Sequence, residues 1–162
     1  MTASPASEVL TAFERRGWTL GVAESLTGGA VCAELVSVPG ASAVLLGGVV
    51  AYATPVKHSV LGVEAELLAE HGPVRAAVAL QMADGVRSAV AVDGRIADVG
   101  ISTTGIAGPE SPDGQPVGTV HVGVVTPAGG WTRELHLEGD RAAIRAQTVV
   151  AALAFVLEKV EE

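Results

Sequence analysis

A chain of 162 residues is long enough to bury a sizeable core. With 49% hydrophobic and 17% charged residues it is too apolar for intrinsic disorder, and it has no uninterrupted apolar run of membrane-spanning length. The net charge of −8 argues against a basic groove for nucleic-acid phosphates.

The numbers and positions of the cysteine and histidine residues, and the character of the first residues, exclude further classes of protein. The one cysteine, Cys32, excludes an internal disulfide, and the four histidines lack metal-ligand spacing, so we expect no metal. Residues 1–16 are polar and lack a basic-then-apolar signal pattern, which predicts a soluble, cytoplasmic protein.

Short apolar segments alternate with amphipathic ones, which predicts strands and helices in turn. Ser4-Pro5 begins the first helix and Gly17 ends it. The elements predicted next are a strand over 18–22, a helix over 30–36, a strand over 45–53, a helical turn over 56–61 and a helix over 64–70. A longer helix begins at Pro73 and ends at Asp93-Gly94, and a strand over 97–104 follows it. The last elements are a loop rich in glycine and proline over 105–118, a hairpin of 117–126 and 131–137 around the turn 127–130, and a helix from Asp140 to about Lys159.

This order of elements predicts an α/β fold, namely a three-layer α/β/α sandwich with a mixed, mostly parallel sheet and a C-terminal hairpin plus helix. No linker or internal repeat interrupts it, so we expect one domain over residues 1–162. The last helix is apolar nearly all round over 149–157, which predicts that it is buried or packs on a partner subunit of a homo-oligomer.

Ser25 is the first candidate for chemistry, because it lies where a predicted strand meets a helix, just before Thr27, Gly28 and Gly29. Such a junction offers free backbone N–H groups and the positive end of a helix dipole. It can hold an anion or stabilise the oxyanion formed when a serine attacks a carbonyl. The same residues are also ordinary helix caps and turn formers.

A nucleophilic serine needs a base, and Lys57 is the best candidate. No histidine lies in a recognisable triad context, and of the two lysines only Lys57 follows a predicted buried strand, five residues after Tyr52, the one tyrosine. A lysine in a partly dry site loses its proton more easily, and Tyr52 could relay a proton or orient either group. The alternatives are a solvated lysine and a half-buried strand aromatic.

Two further features could bind a substrate. Backbone N–H groups of the loop 103–109 could form a second wall of an anion or amide pocket, unless the loop is a plain connection. Arg141 and Arg145, one helical turn apart, could clamp a phosphate or carboxylate. For Arg141 we expect instead an ion pair with the nearby Asp140 or Glu138.

Taken together, these motifs resemble the nicotinamide-nucleotide amidohydrolase family, also called the CinA C-terminal domain family, in its stand-alone form. The resemblance covers nearly the whole chain, in order and with compatible spacing. The matching motifs are Ala23-Glu24-Ser25-Leu26-Thr27-Gly28-Gly29, Val38-Pro39-Gly40-Ala41-Ser42, Gly48-Val49-Val50-Ala51-Tyr52 leading to Lys57, Leu61-Gly62-Val63, Thr104-Gly105-Ile106-Ala107-Gly108-Pro109, Pro116-Val117-Gly118-Thr119-Val120, and Gly139-Asp140-Arg141 with Arg145.

The resemblance implies a serine amidohydrolase that converts nicotinamide mononucleotide to nicotinic acid mononucleotide and ammonia, in pyridine-nucleotide recycling, without cofactor or metal. It makes Ser25 the nucleophile, Lys57 the general base and Tyr52 an assisting residue. The residues that it implies for binding the substrate or its oxyanion are Thr27, Gly28, Gly29, Thr104, Gly105, Ala107, Gly108 and Arg145.

Two positions depart from the family pattern. Residues 110–114 lack the adjacent glycines that many members have, and Arg75 stands where a serine is common. Both departures concern substrate contacts more than the reaction itself. Two other functions therefore remain open, namely a non-catalytic nucleotide-binding or regulatory module and a hydrolase of a different amide.

Overall fold

The computed structural model describes residues 2–162. It contains one sheet of five strands, six α-helices and a 3₁₀ turn over Ala41–Ala43. In chain order the helices and strands are α1 Pro5–Arg16, β1 Leu20–Glu24, α2 Ala30–Val36, β2 Leu45–Val50, α3 Thr54–Ser59, α4 Ala65–His71, α5 Ala76–Ala89, β3 Val99–Gly105, β4 Thr119–Thr126, β5 Gly129–His136 and α6 Arg141–Glu161.

The sheet is mixed, with the strand order β2-β1-β3-β4-β5. β1 pairs in parallel with both β2 and β3, whereas β4 is antiparallel to β3 and to β5. Four strands therefore point the same way and β4 alone opposes them, which confirms the predicted mixed, mostly parallel sheet. The carboxyl ends of β1 and β3 lie side by side, and this edge carries the candidate site.

Helices cover both faces of the sheet, which confirms the predicted three layers. α5 packs on one face, and α1, α2 and α6 pack on the other. On the α5 side the helix backbone comes so near that a Cβ at Gly100 or Gly123 would collide with the carbonyls of Ala83 and Ala79. Glycine at these two strand positions therefore allows the close contact.

Several element boundaries differ from the sequence prediction. β2 ends at Val50 and α3 already begins at Thr54, because Pro55 suits the first turn of a helix. α5 begins at Ala76 and not at Pro73, since the Pro73 and Val74 carbonyls accept side-chain hydrogen bonds from Thr104 and Gln115. The hairpin turn is shorter than predicted, because residues 129–130 pair within β5.

Most of the large apolar side chains of the last helix, α6, are buried against other elements of this chain. Its buried side chains pack on β3, β4 and α1, although Val150 on the other side remains exposed. Self-association therefore stays a prediction. Within residues 2–162, none of the helices combines the length and the apolar character that crossing a membrane requires.

Candidate active site

The structure brings Ser25 and Lys57 into direct contact. Ser25 follows the last residue of β1, and Lys57 lies on α3, the helix that follows the neighbouring strand β2. The Lys57 Nζ lies 2.9 Å from the Ser25 Oγ. This is a hydrogen-bonding distance, so a proton can pass between the two atoms without an intervening water.

Lys57 is almost completely buried, with 1% of its surface exposed. Two backbone carbonyls also face its Nζ, that of Ala51 at 2.7 Å and that of Tyr52 at 3.3 Å. Burial disfavours the charged form and lowers the pKa of Lys57 from 10.5 to about 8. A neutral amine has two N–H donors, which suit the two carbonyls, and its lone pair is then left for the Ser25 hydroxyl.

The Ser25 turn is fastened to β3. The Ser25 amide donates to the Thr103 carbonyl at 3.1 Å, and the hydroxyls of Thr27 and Thr103 share a hydrogen bond of 2.8 Å. Thr27 is fully buried by these contacts. The nucleophile is thereby held on ordered backbone rather than on a free loop, as precise attack requires.

Glu24 was not singled out from the sequence, yet it organises this junction. Its side chain has 0% exposure and accepts hydrogen bonds from the amides of Val31 (2.9 Å) and Cys32 (3.0 Å) in the first turn of α2. Burial first, and the nearby Glu24 second, raise the pKa of the Cys32 thiol to about 12. A single acidic residue in an otherwise apolar five-residue strand was the available signal.

Glu24 thus binds two of the N–H groups at the α2 N-terminus, the helix end at which the sequence predicts a substrate anion or the oxyanion. Binding of an external anion at this turn stays a prediction. Gly28 also has no free amide, because it donates to the Ser25 carbonyl at 3.1 Å.

A cavity of about 280 Å³ opens on the Ser25–Lys57 pair. Larger depressions exist, such as one of about 560 Å³ around Gly94, but Ser25 and Lys57 do not line it. Among the described residues, no histidine lines the Ser25 cavity. Its lining consists of Ser25, Tyr52, Lys57, Pro73, Val74, Thr104, Gly105, Ile106, Ala107, Gly108, Glu110, Pro112, Asp113 and Arg141.

The turn that follows β3 offers amide donors to this cavity. Within residues 2–162, no protein atom accepts a hydrogen bond from the Ala107 or Gly108 amide. Both residues line the cavity, and their N–H groups are candidates to donate to an oxygen atom bound beside Ser25.

Tyr52 and Arg141 form a bridge at the rim of the cavity. Arg141 donates from Nη1 to the Gly108 carbonyl at 2.7 Å and from Nη2 to the Tyr52 hydroxyl at 3.1 Å. The expected ion pair of Arg141 with Asp140 or Glu138 is not formed among the described residues, since Asp140 caps α6 instead. The Tyr52 side chain is 59% exposed and its hydroxyl contacts Arg141, not Ser25 or Lys57.

The residues expected to bind substrate divide into two groups. Thr104, Gly105, Ala107 and Gly108 line the cavity, whereas Thr27, Gly28, Gly29 and Arg145 do not. Arg145 donates instead to the carbonyls of Leu26 at 2.8 Å and Thr27 at 3.2 Å. Its contacts thus fix the turn that carries Ser25, which the sequence spacing could not indicate.

The described chain offers no evident metal site. Nowhere in residues 2–162 do three His, Cys, Asp or Glu side chains gather in a way that could hold a metal ion.

Comparison with known proteins gives one consistent family. The family model described as "CinA C-terminal domain" matches residues 2–160. A "CinA-like protein" of Frankia casuarinae is 49% identical over 148 residues, and a "putative competence-damage inducible protein" of Desulforamulus reducens is 47% identical over 137. These alignments cover 91% and 85% of this chain but only 33% and 32% of the relatives, so the chain spans about one third of their length.

Solved structures resemble the chain over nearly its full length. A competence-damaged protein (CinA) superfamily protein from Klebsiella pneumoniae has a TM-score of 0.90 and 35% identity, with 97% of this chain and 96% of that chain covered. The competence/damage inducible protein CihA from Agrobacterium tumefaciens has a TM-score of 0.87 and 32% identity, with 100% and 99% covered.

Proposed function

The chain belongs to the CinA C-terminal domain family, and from this premise we propose that it is a serine amidohydrolase that deamidates nicotinamide mononucleotide to nicotinic acid mononucleotide and ammonia. The observation that carries the proposal is the hydrogen bond of 2.9 Å between the buried Lys57 amine and the Ser25 hydroxyl. Acyl transfer by a serine requires this arrangement, in which an adjacent base accepts the proton of the hydroxyl.

In the first half of the proposed reaction, neutral Lys57 accepts the hydroxyl proton while the Ser25 Oγ attacks the carboxamide carbon. The amides of Ala107 and Gly108 donate to the oxygen that becomes negatively charged. The Lys57 ammonium then returns the proton to the leaving nitrogen. The C–N bond breaks, ammonia departs and the acyl group remains as an ester on Ser25.

In the second half, a water molecule takes the place of ammonia. Lys57, neutral again, accepts a proton from the water as it attacks the ester carbonyl. The ester C–O bond breaks, the proton returns to the Ser25 Oγ, and the product leaves as a carboxylic acid that ionises. The same amides stabilise both tetrahedral intermediates, so the cycle uses residues of this chain alone.

The direct test is the incubation of purified protein with nicotinamide mononucleotide. We expect ammonia and nicotinic acid mononucleotide in equal amounts, and a kcat/KM for this substrate that exceeds those of simple aliphatic and aromatic amides by at least about a hundredfold. Faster hydrolysis of another amide would show that the protein is an amidase with a different substrate. Binding of the nucleotide in calorimetry without product over hours would contradict the amidase and favour the non-catalytic module.

A further inference from the structure

The loop over residues 109–116 brings two carboxylates to the cavity, those of Glu110 and Asp113. Asp113 is engaged within the loop, because its oxygens accept from the Gln115 backbone amide at 3.1 Å and from the Gln115 Nε2 at 2.8 Å. Within residues 2–162, Glu110 has neither a hydrogen bond nor an ion pair from its side chain. Glu110 is thus the carboxylate that remains available to a ligand.

The charged side chains that line the cavity are those of Lys57, Arg141, Glu110 and Asp113. When Lys57 is neutral, as proton acceptance requires, the two carboxylates outnumber the one guanidinium. Arg141 donates to the neutral Gly108 carbonyl and Tyr52 hydroxyl and pairs with neither carboxylate. The field near the mouth of the cavity therefore carries an unpaired negative charge at Glu110, which favours a positively charged group on a bound molecule.

The loop that carries Glu110 is held to the body of the protein. The Ser111 hydroxyl donates to the Gln115 carbonyl, and the Gln115 Nε2 donates to the Val74 carbonyl at 3.0 Å. Val74 belongs to the cavity wall itself. The loop backbone next to Glu110 is thereby held against the cavity wall, and the exposed Glu110 side chain is carried at its edge.

We propose that Glu110 is a specificity-determining residue that selects amides on a cationic ring, a pyridinium carboxamide, over amides on a neutral ring. This inference rests on the proposed amidase activity, because it assigns the charge of the substrate ring at that site. A nicotinamide whose ring nitrogen bears a ribosyl group is such a cation. The carboxylate attracts the ring charge and leaves the carboxamide free for Ser25.

The test compares two ligands that differ in ring charge, nicotinamide mononucleotide and its dihydro form with a neutral ring. Calorimetry on Ser25→Ala protein gives both dissociation constants without turnover. We expect Glu110→Gln in this background to weaken binding of the cationic form by about three- to tenfold, and of the neutral form by less than about twofold. Glu66→Gln, an exposed glutamate of α4, makes the same change in net charge and should alter neither.

Equal weakening of both ligands would overturn the inference, because it would indicate a disturbed loop rather than lost charge attraction. An unchanged pair of constants, or no binding of either ligand, would overturn it too. Ammonia release by protein with Ser25 intact separates the two proposals. Release without a charge-selective effect of Glu110→Gln removes only the inference, whereas charge-selective binding without release removes only the amidase.

Discussion

Replacing Lys57 by methionine is expected to lower kcat for amide hydrolysis by about a thousandfold or more. The methionine keeps most of the buried volume but removes the amine that accepts the Ser25 proton at 2.9 Å. Rates of ammonia release from nicotinamide mononucleotide, at saturating substrate, measure the effect.

The chain supplies a matched control for this variant, because Lys159 is its one other lysine. Lys159 lies in the last turn of α6 and pairs with Glu158 and Glu162. Lys159→Met should keep kcat within about twofold of wild type, since Lys159 does not line the Ser25 cavity. A Lys57→Met protein that remains folded and as active as the Lys159→Met protein would exclude Lys57 as the base.

Replacing Glu24 by alanine is expected to lower the free energy of unfolding by about 3 kcal/mol, or Tm by roughly 6–12 °C. The change leaves the amides of Val31 and Cys32 without their acceptor and opens a void in a fully buried place. Denaturant titration measures the loss. Activity should fall as well, because Glu24 immediately precedes Ser25 and its side chain ties this junction to the first turn of α2.

The control for Glu24 is Glu34→Ala, an exposed position on α2 that is expected to change stability by no more than about 0.5 kcal/mol. Glu24→Gln separates volume from charge, because it keeps the shape but turns an N–H donor towards backbone N–H groups. We expect it to lie between wild type and Glu24→Ala. Stability unchanged in Glu24→Ala would mean that the buried carboxylate does not support the junction.

Local patterns in the sequence predicted the order of the helices and strands and several of their ends. The helix over residues 30–36 has the predicted bounds, and Ser4 and Gly17 cap α1 as expected. These features depend on neighbours in sequence, namely a capping side chain, a glycine with positive φ and the period of apolar residues. The predicted start of the long helix at Pro73 was wrong. Side-chain hydrogen bonds from Thr104 and Gln115 to the carbonyls of residues 73 and 74 outweigh the preference of proline for the first turn of a helix.

The contact of Ser25 with Lys57 could be predicted from the sequence, because each residue follows one of two neighbouring parallel strands. The other contacts of the site could not be predicted in this way. The bond from Arg141 to Tyr52 joins residues 89 apart in sequence, and Arg145 reaches Leu26 over 119. No local pattern encodes such pairings. Glu24 was missed for another reason, since an acid beside a candidate nucleophile is ordinarily interpreted as catalytic or exposed, not as a helix cap.

The pH dependence of kcat/KM tests the central claim, that neutral Lys57 activates Ser25, most directly. Burial lowers the pKa of Lys57 to about 8. Below that pH the ammonium form predominates and cannot accept a proton, so activity is expected to rise with pH and to level off above it, with one ionisation near 8. A profile that is flat between pH 6 and 9, or that falls as the pH rises through 8, would contradict the account.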